Sequence, residues 1–315
     1  MSDFQTQIEF APLEGVTDAL YRRTHRAFYP GIDRYYTPFI SPTQNRRFTP
    51  RELRELSADN NRGVPLVPQL LGKNAGDFLW ALGALADMGY EEVNLNLGCP
   101  SGTVTAKGKG AGFLAHPDAL SAFLDEVFSK TPVRISIKTR LGLSDPSEFP
   151  RLLEIFSRYP VCRLIVHPRT GAELYRGSVH LDAFALAAEN AAAPLCYNGD
   201  IFSVSDFQRF AAAFPQIHTV MLGRGLVSDP ALAVKLRGGE GDKKTLKAFH
   251  EALCEGYPAL FGSTSSATHR MKAIWAYMLG NFRDGEAFRK KIIKAKRWED
   301  FRAVTEDIFQ TLELK

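Results

Sequence analysis

The sequence predicts a (β/α)8 barrel over residues 1–240, followed by a small helical bundle over 241–315. Three observations carry this. Eight short β-rich runs alternate with helical stretches, and they are apolar along their length, as parallel strands covered on both faces are. Polar and special residues recur at the C-terminal ends of those runs, the rim where barrel enzymes build their sites. The first run is not followed by the GxGxxG turn of a doubly wound dinucleotide fold.

The runs fall at 8–13, 34–40, 65–71, 92–98, 134–140, 163–169, 194–199 and 219–225. Apolar spacing of helical period predicts helices over 75–88, 117–129, 149–159 and 204–214, with start signals such as Asp145-Pro146 and Asp229-Pro230. The Gly- and charge-rich stretch 237–245 is the expected domain boundary. Beyond it, helices are expected over 244–260, 267–279, 285–296 and 298–312.

Composition is that of an ordinary globular chain: 315 residues, 45% apolar, 23% charged. The net charge of +4 is uneven. Residues 243–315 hold fourteen Lys/Arg against nine Asp/Glu, whereas the rest hold 25 against 26. An acidic partner such as nucleic acid fits the C-terminal quarter, and so does a solvated helix surface. Lys290, Lys294 and Arg297 are spaced to share one helix face. Arg46, Arg47, Arg51, Arg54 and Arg62 form a second basic stretch after the second run.

The four cysteines are far apart and form no CxxC pair, which argues against a zinc site and a disulfide framework. The N-terminal stretch has no apolar core of a leader, and no run of about 18 apolar residues exists. A cytoplasmic protein with neither metal nor membrane span is expected. No long exposed apolar stripe stands out, so a monomer is expected.

The strand ends suggest chemistry. Asn198, Gly199 and Asp200 after the seventh run, and Gly223 and Arg224 after the eighth, fit the phosphate site common in such barrels. A phosphorylated cofactor anchored there would lie across the barrel mouth. Lys138 would meet its electron-rich end, His167 would donate to the ring or the phosphate, and Gln69 and Asn96 would read polar edges. Cys99 lies in a loop punctuated by Gly98, Gly102, Gly108 and Gly110, with Lys107 and Lys109 following it. A free thiol has a pKa of about 8.5, so Cys99 suits a general acid at neutral pH. Together these residues suit a flavin-dependent reductase of an electron-poor double bond.

The motifs go further. Ala11-Pro12-Leu13-Glu14-Gly15-Val16-Thr17-Asp18, Pro68-Gln69-Leu70-Leu71-Gly72, Val93-Asn94-Leu95-Asn96-Leu97-Gly98-Cys99-Pro100-Ser101, Lys138-Thr139-Arg140, Val166-His167-Pro168-Arg169-Thr170, Tyr175-Arg176-Gly177, Asn198-Gly199-Asp200-Ile201 and Met221-Leu222-Gly223-Arg224-Gly225 occur in order. This pattern resembles the tRNA-dihydrouridine synthase family. The resemblance implies FMN as cofactor, NADPH as electron donor and a uridine of folded tRNA, in the D-loop region, as substrate. It implies that Pro12, Leu13, Glu14, Gln69, Lys138 and His167 line the flavin, and that Asn198, Gly199, Asp200, Gly223 and Arg224 hold its phosphate end. Hydride would pass to C6 of uracil and Cys99 would protonate C5. Asn96 would hold the base, with Arg140, Lys107, Lys109, Lys290, Lys294 and Arg297 on the substrate side.

Three positions depart from the family pattern. Gly102 stands where a Lys is frequent, Pro168 where a Gly is usual, and Ala183 where a Trp often follows the acidic residue. Two other readings stay open: an FMN barrel acting on a small pyrimidine, and an RNA-binding protein without catalysis.

Overall fold

A computed structural model describes residues 6–315; residues 1–5 of the N-terminal stretch read above lie outside it. Among the described residues nine parallel strands form one sheet: β1 (Gln7–Phe10), β2 (Arg34–Tyr36), β3 (Leu66–Val67), β4 (Gln69–Leu70), β5 (Glu92–Leu97), β6 (Arg134–Arg140), β7 (Arg163–His167), β8 (Leu195–Tyr197) and β9 (Thr219–Leu222). Their order is β3-β2-β1-β9-β8-β7-β6-β5-β4. β3 and β4 are the single third run of the sequence, divided at Pro68, which has no N–H to give to the ladder. β3 pairs with β2, while β4 pairs with β5. The ring therefore closes through one kinked strand, and the architecture is a TIM-type barrel.

Several helices begin where side chains can cap them. Asn74 accepts from the N–H of Asp77 at the start of Ala75–Asp87, and Ser203 from that of Asp206 at the start of Val204–Ala213. Asp145 does cap a turn, but a single 3-10 turn, before the helix Phe149–Phe156 begins. Asp229-Pro230 starts no helix directly. The next helix is Leu232–Leu236, and Asp229 accepts from the Ala231 N–H and from Lys235.

Beyond residue 240 the chain is helical: Lys243–Phe261, Thr264–Met278, Arg289–Lys294 and Trp298–Thr311. These helices share the barrel's hydrophobic cluster. Phe249 packs edge-on against Tyr21, His25 and Tyr29 of the helix that follows β1. Asp18, which caps that helix, also accepts from Tyr257 at 3.0 Å and pairs with Arg270 at 2.9 Å. No described helix is long and apolar enough to cross a membrane.

The stretch 285–296 is not one helix. A 3-10 turn, Gly285–Phe288, precedes Arg289–Lys294, and Ala295 leaves helical conformation with ψ 111°. Arg297 therefore does not share a helix face with Lys290 and Lys294. It precedes the last helix and pairs with Asp300 at 2.7 Å.

Candidate active site at the barrel mouth

The C-terminal strand ends surround a cavity of about 540 Å³, the size of a small-molecule site. All the barrel residues expected at a cofactor and its substrate line it, apart from Lys107 and Lys109: Pro12, Leu13, Glu14, Gln69, Asn96, Cys99, Lys138, Arg140, His167, Asn198, Gly199, Asp200, Gly223 and Arg224.

Cys99 lies in the turn after β5. That strand stops because Asn96 Oδ1 accepts from the N–H groups of Gly98 at 3.0 Å and Cys99 at 2.9 Å. The side-chain amide replaces a ladder partner and turns the chain into the cavity. The Cys99 carbonyl accepts from Ala111 N–H at 3.0 Å. At Gly110, with φ +56°, a Cβ would sit 2.7 Å from that carbonyl, so only glycine fits there. Burial raises the Cys99 thiol above its usual range, against smaller lowering effects from a Ser101 backbone hydrogen bond, Arg140 and Lys138. The half-buried thiol thus holds its proton at neutral pH. The cations acting on it are Arg140 and Lys138. Lys107 and Lys109 belong instead to a lysine group with Lys73, where burial and the two like charges lower the Lys109 ammonium.

Lys138 lies opposite Asn96 in the β5–β6 ladder. Among the described residues no carboxylate pairs with it, and burial together with Arg140 lowers its pKa to about 8. Arg140 is buried, donating from Nε to Gly98 O at 2.9 Å and from Nη1 to Thr170 O and Leu174 O at 2.7 and 2.6 Å. It ties the Cys99 turn to the loop after β7.

His167 ends β7. Arg169 Nη1 lies 3.2 Å from His167 Nε2. A guanidinium only donates, so Nε2 accepts and the ring proton sits on Nδ1. Burial, then Arg140, Lys138, Arg169 and Arg224, hold the ring well below the usual histidine range. His167 is neutral.

Asp200 accepts from both Arg169, which engages it twice, and Arg224 at 2.5 Å. Two guanidiniums around one carboxylate leave this corner positive. Asn198 Nδ2 binds Met221 O at 2.7 Å and so joins β8 to β9. A Cβ at Gly199 would enter the Tyr197 ring. The main chain there can approach a ligand only because the residue is glycine.

Four residues of the site had been given no role from the sequence. Arg169 was visible as a strand-end residue, but its role as the buried partner of Asp200 and His167 was not. Tyr175 and Phe202 stand at the mouth, 53% and 44% exposed, with the Arg224 guanidinium 4.5 and 5.3 Å from their rings. Tyr277, on Thr264–Met278, lines the same cavity. No local signal marks Tyr277, because it reaches the site from another part of the chain. Among the described residues no cluster of His, Cys, Asp or Glu suits a metal ion.

The donor set fits a flavin. The cavity has an ammonium without an anionic partner at one side. At the other it has an arginine-rich corner with the N–H groups of Gly199 and Gly223 free of protein acceptors. A parallel barrel with such a mouth defines a flavoenzyme-type oxidoreductase site. Comparison with known proteins makes this specific. A model of the dihydrouridine synthase family matches residues 9–313. The chain is 32% identical over 239 residues to the tRNA-dihydrouridine(16) synthase of Cupriavidus necator, covering 74% of each chain. It is 32% identical over 238 residues to that of Pseudomonas putida, covering 73% of each. To tRNA-dihydrouridine synthase B of Pasteurella multocida it is 24% identical over 229 residues, covering 72% of this chain and 68% of that one. The chain belongs to the dihydrouridine synthase family and is an oxidoreductase. Solved structures show the same fold: morphinone reductase, with a TM-score of 0.52 at 13% identity over 76% of this chain and 88% of that one, and the old yellow enzyme from Trypanosoma cruzi, with 0.52 at 11% over 76% and 91%.

Proposed function

We propose that the chain reduces the C5–C6 double bond of a uridine in tRNA to 5,6-dihydrouridine, with FMN as its flavin and NADPH as the source of electrons. Family membership supports the reaction. The single observation that carries the mechanism is a half-buried Cys99 thiol, held above its usual range by burial, clamped at the mouth of a cavity whose ammonium has no carboxylate partner among the described residues.

Pro12, Leu13, Glu14, Gln69, Lys138 and His167 would hold the ring of the flavin, and Asn198, Gly199, Asp200, Gly223 and Arg224 its phosphate end. When bound, a flavin held by these residues would supply the hydride for C6. Lys138 stabilises negative charge on the ring side of the cavity. His167, neutral and protonated on Nδ1, donates one hydrogen bond there. Cys99 delivers a proton to C5 and is reprotonated from solvent through the open mouth. Asn96 has one N–H left beside its bond to Gln69, and that N–H would hold the base. Arg140 keeps the Cys99 turn and the Tyr175 loop together around it.

A stacked base cannot reach this depth, so the uridine is extruded from the RNA. Residues 1–240 form the catalytic domain and 241–315 the tRNA-holding domain. Lys290 and Lys294 are exposed without a carboxylate partner among the described residues, and they suit backbone phosphates, with Arg297 beside them. Lys107 and Lys109, with Lys73, form a second such contact on the barrel lip. We place the target in the D-loop, at position 16, the position in the names of the Cupriavidus and Pseudomonas relatives. The enzyme acts as a cytoplasmic monomer.

The deciding experiment maps dihydrouridine by position in tRNA from cells with and without this protein. Loss at position 16 alone is the expected result. Loss at another position keeps the reaction and moves the target. No loss in tRNA, with yellow flavin on the purified protein, overturns the substrate in favour of rRNA or a free pyrimidine.

A further inference from the structure

Behind Cys99 the barrel wall holds polar groups that the reaction does not use. Asn94 and Ser136 are fully buried. They pair in register across β5 and β6, and Asn94 pairs with Gln69 across β4 and β5. Asn94 Nδ2 donates to Ser136 Oγ at 3.0 Å, Gln69 Nε2 to Asn94 Oδ1 at 2.8 Å, and Asn96 Nδ2 to Gln69 Oε1 at 2.7 Å. Asn96 Oδ1 then accepts from the N–H groups of Gly98 and Cys99.

This chain has only one direction. A backbone N–H can only donate, so Asn96 must turn its oxygen to the loop and its nitrogen to Gln69. Gln69 must answer with its oxygen, which aims its nitrogen at Asn94. Asn94 must then present its oxygen, and its nitrogen goes to Ser136. Flipping any one amide sets donor against donor or acceptor against acceptor in a buried place, where each lost bond is costly. The orientation of Asn94, on the same strand but five residues before Cys99 and out of contact with its turn, is thereby linked to the backbone of Cys99.

We propose that Asn94 is a positioning residue for Cys99. It fixes the Gln69 amide in the orientation that lets Asn96 hold the Cys99 turn. The proposal rests on the reading of Cys99 as the proton donor.

The test uses the flavin-loaded full chain and measures two things. The first is the alkylation rate of Cys99 by iodoacetamide, followed by peptide mass spectrometry, with buried Cys196 and Cys254 as internal controls of unfolding. The second is the rate at which tRNA oxidises the reduced enzyme, compared with the rate at which NADPH reduces it. In Asn94→Leu, Cys99 labelling is expected to rise about 10-fold with the controls unchanged, oxidation by tRNA to slow about 30-fold, and reduction by NADPH to stay within about 2-fold. In Asn94→Asp, the carboxyl still accepts from Gln69 in either protonation state, and both readouts should return to within about 3-fold of the parent. Unchanged Cys99 labelling in Asn94→Leu overturns the proposal, as does an Asn94→Asp variant as impaired as Asn94→Leu. If Asn94→Leu exposes Cys196 and Cys254 it has unfolded, and Ser136→Ala decides instead. That variant removes only the last acceptor, and about 3-fold faster Cys99 labelling is expected, no change being fatal. If tRNA fails to oxidise even the parent enzyme, the substrate reading has failed, while the labelling result still judges the link.

Discussion

The two ends of the barrel use inward-facing charge in opposite ways. At the N-terminal end, fully buried Glu9 meets Arg163, has Arg34 at 4.0 Å, and accepts from Tyr36 at 2.8 Å. Arg34 also pairs with Glu92 at 2.6 Å, and Arg134 approaches the same carboxylate at 3.9 Å. Every charge in that cluster has an opposite charge beside it. At the C-terminal end Lys138 has none among the described residues, Arg140 meets carbonyls and the Tyr175 ring but no carboxylate, and Arg169 and Arg224 share one aspartate. Charges closed on one another plug a barrel. Charges left open attract a ligand, and their unpaired state is a cost that binding removes.

Removing the acid at the open end should have the largest effect. Cys99→Ala is expected to keep flavin content and tRNA affinity within about 2-fold while lowering dihydrouridine formation about 10³-fold. Quantifying dihydrouridine in treated tRNA checks this, and full activity would remove Cys99 as the donor.

At the closed end the effect should fall on stability alone. Glu9→Ala leaves the largely covered Arg163 without its partner and should cost about 3 kcal/mol in urea unfolding, with flavin affinity of the folded protein unchanged. A loss of flavin affinity at full stability would erase the contrast between the two ends.

Lys138 sharpens the comparison through pH. Its pKa of about 8 in the folded protein lies below the ordinary value of about 10.4 in an unfolded chain. Between these values the unfolded state binds more protons, so stability of the flavin-free protein should rise with pH across that window. Flavin affinity should move the other way, falling as pH passes about 8 and the ammonium deprotonates. Lys138→Met should flatten both profiles and weaken flavin binding about 10-fold at pH 7. Titrations of flavin fluorescence and thermal melts at several pH values test the two signs together.

The smallest effect belongs to the periphery. Combined Lys290→Glu and Lys294→Glu should weaken tRNA binding about 5-fold and reduce the salt slope by about two, with flavin content unchanged. An unaltered slope would make that face a solvated surface only.

Much of the site was legible because barrel strands announce their ends. The period-two placement of Ser136, Lys138 and Arg140, and of Asn94 and Asn96, puts polar residues on the inward face of β6 and β5. Arg297 was expected on one helix face with Lys290 and Lys294, but the exit from helix at Ala295 separates it from them. Lys107 and Lys109 follow Cys99 closely in sequence, yet a short helical turn carries them away from the cavity and beside Lys73.

The sequence alone determined the alternation of strand and helix, the ring of strand-end residues and the place of Cys99 after the fifth β-run, since these follow from local period, turn chemistry and motif. Tertiary structure alone decided which charges are paired, which tautomer His167 adopts, that Tyr277 enters the cavity from a helix beyond the barrel, and that amides on two strands and a serine on a third form one directed chain. Those properties depend on distances between residues remote in the chain, and only the closing of the barrel sets them.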